Sequence, residues 1–202
     1  MQSTTRLSIL ASVFAVALTL TACVDTTGIT PDSTIPPKGN PQAAVVVTEF
    51  ADLQCPACRA AYTQLTQPII AKYGNEIRYE YKNFPLRSLH RYAEDLAEAG
   101  ECAADQGKFW EFADSAFTNQ DQVSKAAITQ WATDLKLNMD LFGRCTSSHI
   151  KSAAVAADYK EGLDAGVQGT PTFFVNGKKV DSTIDAISSA IDSAEAGTLQ
   201  KL

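Results

Sequence analysis

The chain has little to offer a metal. Its 202 residues include two histidines, His90 and His149, far apart in sequence, and one Cys-x-x-Cys pair, Cys55-Pro56-Ala57-Cys58. A structural zinc site takes four ligands, so a pair with no second Cys-x-x-Cys and no spaced histidines falls short of one. No metal and no cofactor are expected. Positive charge is also scarce: 17 Lys and Arg stand against 23 Asp and Glu, a net charge of −6 at pH 7. A nucleic-acid surface needs the opposite balance, so nucleic acid is excluded as a partner. The apolar stretch from Leu7 to Leu20 is too short to cross a membrane. As a helix rising ~1.5 Å per residue it spans about 21 Å, against a hydrocarbon core of ~30 Å. Internal repeats are absent.

What is present begins with that stretch. Arg6 is its single preceding basic residue, and Leu20-Thr21-Ala22-Cys23 ends it, the layout of an export signal over residues 1–22. The ending resembles the lipobox of bacterial lipoproteins, which implies that Cys23 is acylated and becomes the first residue of the mature chain. Several acyl chains at ~0.8 kcal/mol per buried CH2 would hold the protein on a membrane outside the cytoplasm, in the periplasm or at the outer cell surface. The alternative is an ordinary cleaved signal beside a stray cysteine. Residues 23–42, with Pro31, Pro36, Pro37 and Pro41, read as a flexible tether. Residues 43–202 are then enough for one domain with a well-buried core.

Five cysteines is an odd number for an exported chain. With Cys23 given to lipid, four remain, and three connectivities are open to them. The short spacing favours Cys55 with Cys58, which leaves Cys102 with Cys145; two buried free thiols are the alternative. A Cys102–Cys145 bridge would be structural, restraining the unfolded chain by about 4 kcal/mol on the loop-entropy account. The first pair has a different chemistry. Cys55 precedes an expected helix, where free N–H groups and the positive end of the helix dipole favour a thiolate, and Cys58 lies three positions on, close enough for an exchangeable disulfide.

The pattern of elements is mixed α/β. Ala43 to Phe50 (AAVVVTEF) reads as a buried strand. A helix from Pro56 to Tyr73 follows, with Tyr62, Leu65, Ile69 and Tyr73 on one face and a bend at Pro68. Glu76 to Tyr81 alternates as a second strand, completing a βαβ unit. After Pro85 the character is helical: one helix through Leu96, Ala99 and Ala103, a second through Phe109 to Phe117, a third through Ala127 to Leu135 capped by Ser124, and a fourth from about Ser147 to Leu163. Thr172–Val175 and Lys178–Val180 form a hairpin turned at Asn176-Gly177, and a final helix carries Ile184, Ile187 and Ile191. His90, near a helix start, reads as a cap or packed side chain. Trp110 and Trp131 read as helical core.

Three local matches carry a resemblance over about Gln42 to Ala194. They are Glu49 six residues before Cys55, the stretch Cys102 to Glu111 (CAADQGKFWE) after Phe84-Pro85-Leu86, and Gly169-Thr170-Pro171-Thr172 running on to Gly177. Together they resemble the DsbA-like branch of the thioredoxin superfamily. That resemblance implies a thioredoxin fold with an α-helical subdomain inserted at about residues 87–164. It implies Cys55 as exposed nucleophile and Cys58 as resolving thiol, Glu49 as the acid that passes protons to the inner thiol, Pro171 as a cis-proline beside the sulfurs, and Thr170 as a backbone contact for an extended substrate. Where the family's strongest oxidant has a histidine, this chain has Ala57. The expected activity is a protein thiol:disulfide oxidoreductase, an oxidase toward reduced exported proteins, reoxidised by a membrane partner of the DsbB-like or vitamin-K-epoxide-reductase-like kind. The alternatives are a reductase or isomerase on the same fold, and a redox-inactive peptide-binding module, against which the intact cysteine pair argues.

Overall fold

Among residues 25–199, which the computed structural model describes, five strands make one sheet. They are β1 (Lys38–Gly39), β2 (Val45–Ala51), β3 (Ile77–Asn83), β4 (Thr172–Val175) and β5 (Lys178–Val180), in the spatial order β1-β3-β2-β4-β5. β2 and β3 are parallel, with Val47 opposite Tyr79 and Glu49 opposite Tyr81, and β4 lies antiparallel on the other side of β2. Burial on both faces explains the run Val45-Val46-Val47: the central strand of a covered sheet has little use for alternation. β4 and β5 form the expected hairpin, with Asn176 (φ 46°) and Gly177 (φ 75°) both left-handed, as a two-residue turn between right-twisted strands requires.

The helix expected from Pro56 to Tyr73 is there in three parts: α1 (Pro56–Ala61), a π-helical turn (Tyr62–Thr66) and α2 (Gln67–Tyr73). The Gln67 N–H reaches the Tyr62 carbonyl, one residue farther back than in an α-helix. The wide turn thus comes just ahead of Pro68, which has no N–H to give, and absorbs the discontinuity expected as a bend.

Between β3 and β4 come α3 (Ala93–Ala104), α4 (Phe109–Thr118), α5 (Lys125–Asp134), α6 (Met139–Ser148) and α7 (Ser152–Asp164); α8 (Ile184–Leu199) follows β5. The Ser124 hydroxyl caps α5 by accepting from the Ala127 N–H at 3.1 Å. The single helix expected over 147–163 is a correction: α6 ends at Ser148, His149 takes a left-handed φ of 52°, and α7 starts afresh at Ser152. Asn138 caps α6 by accepting from the N–H groups of Asp140 and Leu141.

One face of the sheet joins α1, α2, α8 and the inserted helices in the main core, where Tyr79, Phe109, Phe112, Ile187 and Ile191 are buried. Burying one such side chain contributes about 1.5–3 kcal/mol. The other face is smaller. Phe50, Phe84, Phe174 and Val167 cluster there under α7, whose Tyr159 stacks on Phe84 with ring centroids 4.4 Å apart.

The segment expected as a free tether is bound to the domain from Asp25 onward. Arg144 of α6 donates to the carbonyls of Asp25 (2.7 Å) and Thr27 (3.1 Å), and the buried Lys151 donates to the Asp32 carbonyl (2.7 Å). Ser33 donates to Glu101 (2.9 Å), and the Trp110 indole donates to the Pro36 carbonyl (2.8 Å). β1 then pairs antiparallel with β3 and covers its outer edge. Gly39 (φ 83°) is needed in this close approach, since a Cβ there would lie 2.5 Å from the carbonyl oxygens of Gly74 and Ile77. Residues 1–24, with the signal segment and Cys23, lie outside the described residues.

Candidate active site

β2 delivers the chain to the site, and a short turn over Asp52, Leu53 and Gln54 hands it to Cys55, the N-cap of α1. Pro56 at the first helical position has no N–H, so the free donors facing the cap belong to Ala57 and Cys58. Cys55 is 6 % exposed and Cys58 0 %, so only the first sulfur can be met from outside. Both are free thiols here.

The two sulfurs differ in chemistry as well as access. The Cys55 thiol is pulled down to about 5, first by a hydrogen bond from Cys58, then by the Thr170 side chain and the N–H groups of Cys58 and Ala57, against the opposing effect of burial. It is therefore a thiolate at neutral pH. Cys58 moves the other way: burial, and then the neighbouring negative Cys55, push its thiol well above the ordinary value. The loop before β4 completes the pocket. Its Thr170–Pro171 peptide bond is cis, and the Thr170 carbonyl lies 3.5 Å from Cys55 Sγ.

Glu49 sits on β2, buried, with its carboxyl raised to about 7 by loss of water. Two hydroxyls donate to its Oε2, Tyr79 at 2.5 Å and Thr66 at 3.0 Å, and both favour the charged form. Thr66 belongs to the π-helical turn, so the irregularity in the helix brings a hydroxyl to the acid. A carboxyl near 7 can give and take a proton at neutral pH.

The structure adds groups to which the sequence drew no attention. The Gln120 amide, from the inserted block, donates to the carbonyls of Leu53 (3.0 Å) and Cys55 (3.1 Å), and Arg59 of α1 pairs with Asp121 at 2.9 Å. The insertion thus fixes the start of α1. His90 does more than pack: its Nδ1 is 2.7 Å from Oδ2 of the buried Asp52. These contacts span 38 to 67 residues, and no local pattern marks them. Away from the site, Cys102 of α3 and Cys145 of α6 are joined, Cα atoms 5.9 Å apart across 43 residues.

A helix-start cysteine pair on the first βαβ unit, with a cis-proline loop against it, is an arrangement able to carry thiol–disulfide exchange. The thioredoxin family model matches residues 32–193, and the chain belongs to that family. Among solved structures, a thioredoxin-like oxidoreductase from Silicibacter pomeroyi DSS-3 is 25% identical, with a TM-score of 0.70 over 82% of this chain and 94% of the other. BdbD from Bacillus subtilis, in its oxidised form, shares the fold at 20% identity and a TM-score of 0.71, covering 81% of this chain and 98% of that one. The thiol-disulfide exchange protein alpha-DsbA2 from Wolbachia pipientis does so at 22% and 0.68, covering 79% and 87%. Among curated sequences, Na(+)/H(+) antiporter NhaA 1 of Salinispora arenicola is 37% identical over 164 residues, 80% of this chain and 25% of the antiporter. The chain thus spans about a quarter of the length of such relatives. Among the described residues no helix is long and apolar enough to cross a membrane.

Proposed function

We propose that this chain is an extracytoplasmic disulfide oxidase, held on a membrane by lipid at Cys23, that donates the Cys55–Cys58 disulfide to reduced exported proteins. The observation that carries the direction is the depressed Cys55 thiol, near 5. Each unit that a thiol lies below ambient pH favours the reduced pair, by ~30 mV for a two-electron couple, so at pH 7 the disulfide gains about 60 mV as an oxidant.

The steps follow from the two sulfurs. A substrate thiolate attacks Cys55 Sγ, the Cys55–Cys58 bond breaks, and its electron pair leaves on Cys58, which takes a proton from the Glu49 side. A second substrate thiolate then attacks the substrate sulfur of the mixed disulfide, and Cys55 leaves as a thiolate. The substrate has lost two electrons and the pair has gained them. A quinone-linked membrane protein of the DsbB-like or vitamin-K-epoxide-reductase-like kind would take them away. Thr170, with its carbonyl beside Cys55, would meet the substrate backbone, and Pro171 would pack beside the sulfurs.

Equilibrating the pair against glutathione tests the direction. A potential above that of the glutathione pool is expected; one well below it would make the chain a reductase or isomerase instead. Cys23→Ser should move the protein from the membrane to the soluble fraction with its thiol chemistry intact. Retention of the variant in carbonate-washed membranes would remove the lipid from this account.

A further inference from the structure

Asp52 meets the redox pair through its backbone. Its N–H donates to Cys58 Sγ at 3.5 Å, and its carbonyl accepts from the Cys55 N–H at 2.9 Å. The side chain, wholly buried, is held by three groups: the Gln54 N–H on Oδ1 (2.8 Å), and the Leu86 N–H (3.0 Å) and His90 Nδ1 (2.7 Å) on Oδ2. Leu86 and His90 belong to the loop between β3 and α3. That loop therefore clamps a residue whose peptide groups face both cysteines.

Cys58 has need of such a donor. Buried, it has Cys55 beside it, Tyr81 near it from β3 and Thr170 from the loop before β4. Negative charge on Cys58 meets no cation in this set, so hydrogen bonds must stabilise it, and the Asp52 N–H is the backbone donor aimed at it. A hydrogen bond to sulfur fails when its donor turns away by tens of degrees, so the orientation of the Asp52 peptide matters. Removing His90 would leave the buried Oδ2 with the Leu86 N–H alone.

We propose that His90, acting through Asp52, is a positioning residue for the resolving thiol, holding the Asp52 N–H on Cys58 while that sulfur carries charge. This rests on the exchange reading above. When a thiolate attacks Cys55, the bond to Cys58 breaks and its electron pair settles on Cys58, where the Asp52 N–H receives it until a proton arrives. In the reverse direction the same bond maintains the Cys58 thiolate that attacks Cys55 and expels its partner.

Rapid mixing of the reduced mature chain with oxidised glutathione, followed by acid quench and mass analysis, separates the two sulfurs. The first phase, formation of the glutathione adduct, reports Cys55; the second, loss of glutathione as the internal disulfide closes, reports Cys58. Losing one hydrogen bond to a charged atom lowers the thiolate population about tenfold, and the greater nucleophilicity of the remaining thiolate offsets half of that on a logarithmic scale. His90→Leu should therefore slow the second phase about threefold and leave the first unchanged, while His90→Asn, which keeps a donor near the Nδ1 position, should restore it. Asp52→Asn, which keeps the Oδ1 acceptor and loses Oδ2, should show the same selective slowing and serves if His90→Leu does not fold. Equal slowing of both phases, or of neither, overturns the proposal. Absence of the first phase in the unaltered chain would instead refute the exchange reading itself, and this one with it.

Discussion

Among the described residues there are two cysteine pairs, and each has a buried carboxyl near in sequence that is raised to about 7 by loss of water: Glu49, six residues before Cys55, and Glu101, next to Cys102. Burial does not separate the pairs, since Cys55, Cys58, Cys102 and Cys145 are at most 6 % exposed. The backbone does. Cys55 caps a helix, with unbonded N–H groups ahead of it, whereas Cys102 and Cys145 lie within α3 and α6, where the N–H groups are committed to the helix. A buried acid nearby does not make a thiol reactive; a helix start that stabilises a thiolate does. Glu101 serves a different end, accepting from Ser33 and Asn83 to hold the N-terminal segment on the insertion.

The comparison can be broken most sharply at the sulfurs. Cys55→Ala should abolish oxidation of a reduced model substrate, and Cys58→Ala should accumulate mixed disulfides through Cys55, both visible on non-reducing gels. Full oxidation by Cys55→Ala would leave a binding module as the better account. Replacing Cys102 and Cys145 together by alanine should leave exchange at Cys55 untouched and cost about 4 kcal/mol, read as a lower urea midpoint, because a closed loop of that length restrains the unfolded chain. A change in the exchange rate under folding conditions would mean that the two pairs communicate.

The two acids sharpen the comparison further. The folded carboxyl of Glu49 titrates near 7, above its unfolded value near 4.5, so the native state holds the extra proton between them. Stability from this group falls as pH rises across that window and stays reduced above it. Glu49→Gln removes the penalty: about 3 kcal/mol of added stability at pH 8 and none at pH 4, together with slower exchange at Cys58. Glu101→Gln should shift stability in the same direction by a similar amount, about 3 kcal/mol at pH 8, because burial raises its carboxyl to the same value, about 7. Exchange rates should not move. If both variants slow exchange alike, the acids are not distinguished by the sulfurs they accompany.

Several elements were legible because their causes are local. Asn176-Gly177 supplies the two left-handed residues of a hairpin turn, Ser124 caps α5, Pro56 starts α1, and the Val45-Val46-Val47 run marks a strand covered on both faces. The break between α6 and α7 was missed because the residue that turns left-handed is His149, which carries no turn signal of its own; Asn138 ahead of Leu141, Phe142 and Cys145 was the cap that could have revealed α6.

By itself, then, the sequence determined most of the strands and helices, though neither β1 nor the break between α6 and α7, together with the helix-start position of Cys55 and Cys58 and the glutamate six residues upstream, since each follows from spacing, capping and turn chemistry within a few residues. The tertiary structure decided the rest. It laid residues 25–36 along the insertion instead of leaving them free, because Arg144, Lys151, Glu101 and Trp110 satisfy polar groups that composition alone assigns to water. It also brought His90 to Asp52 and Gln120 to the carbonyls of Leu53 and Cys55. Buried polar groups take the partners that the packed chain brings within reach, and those partners can lie anywhere in the sequence.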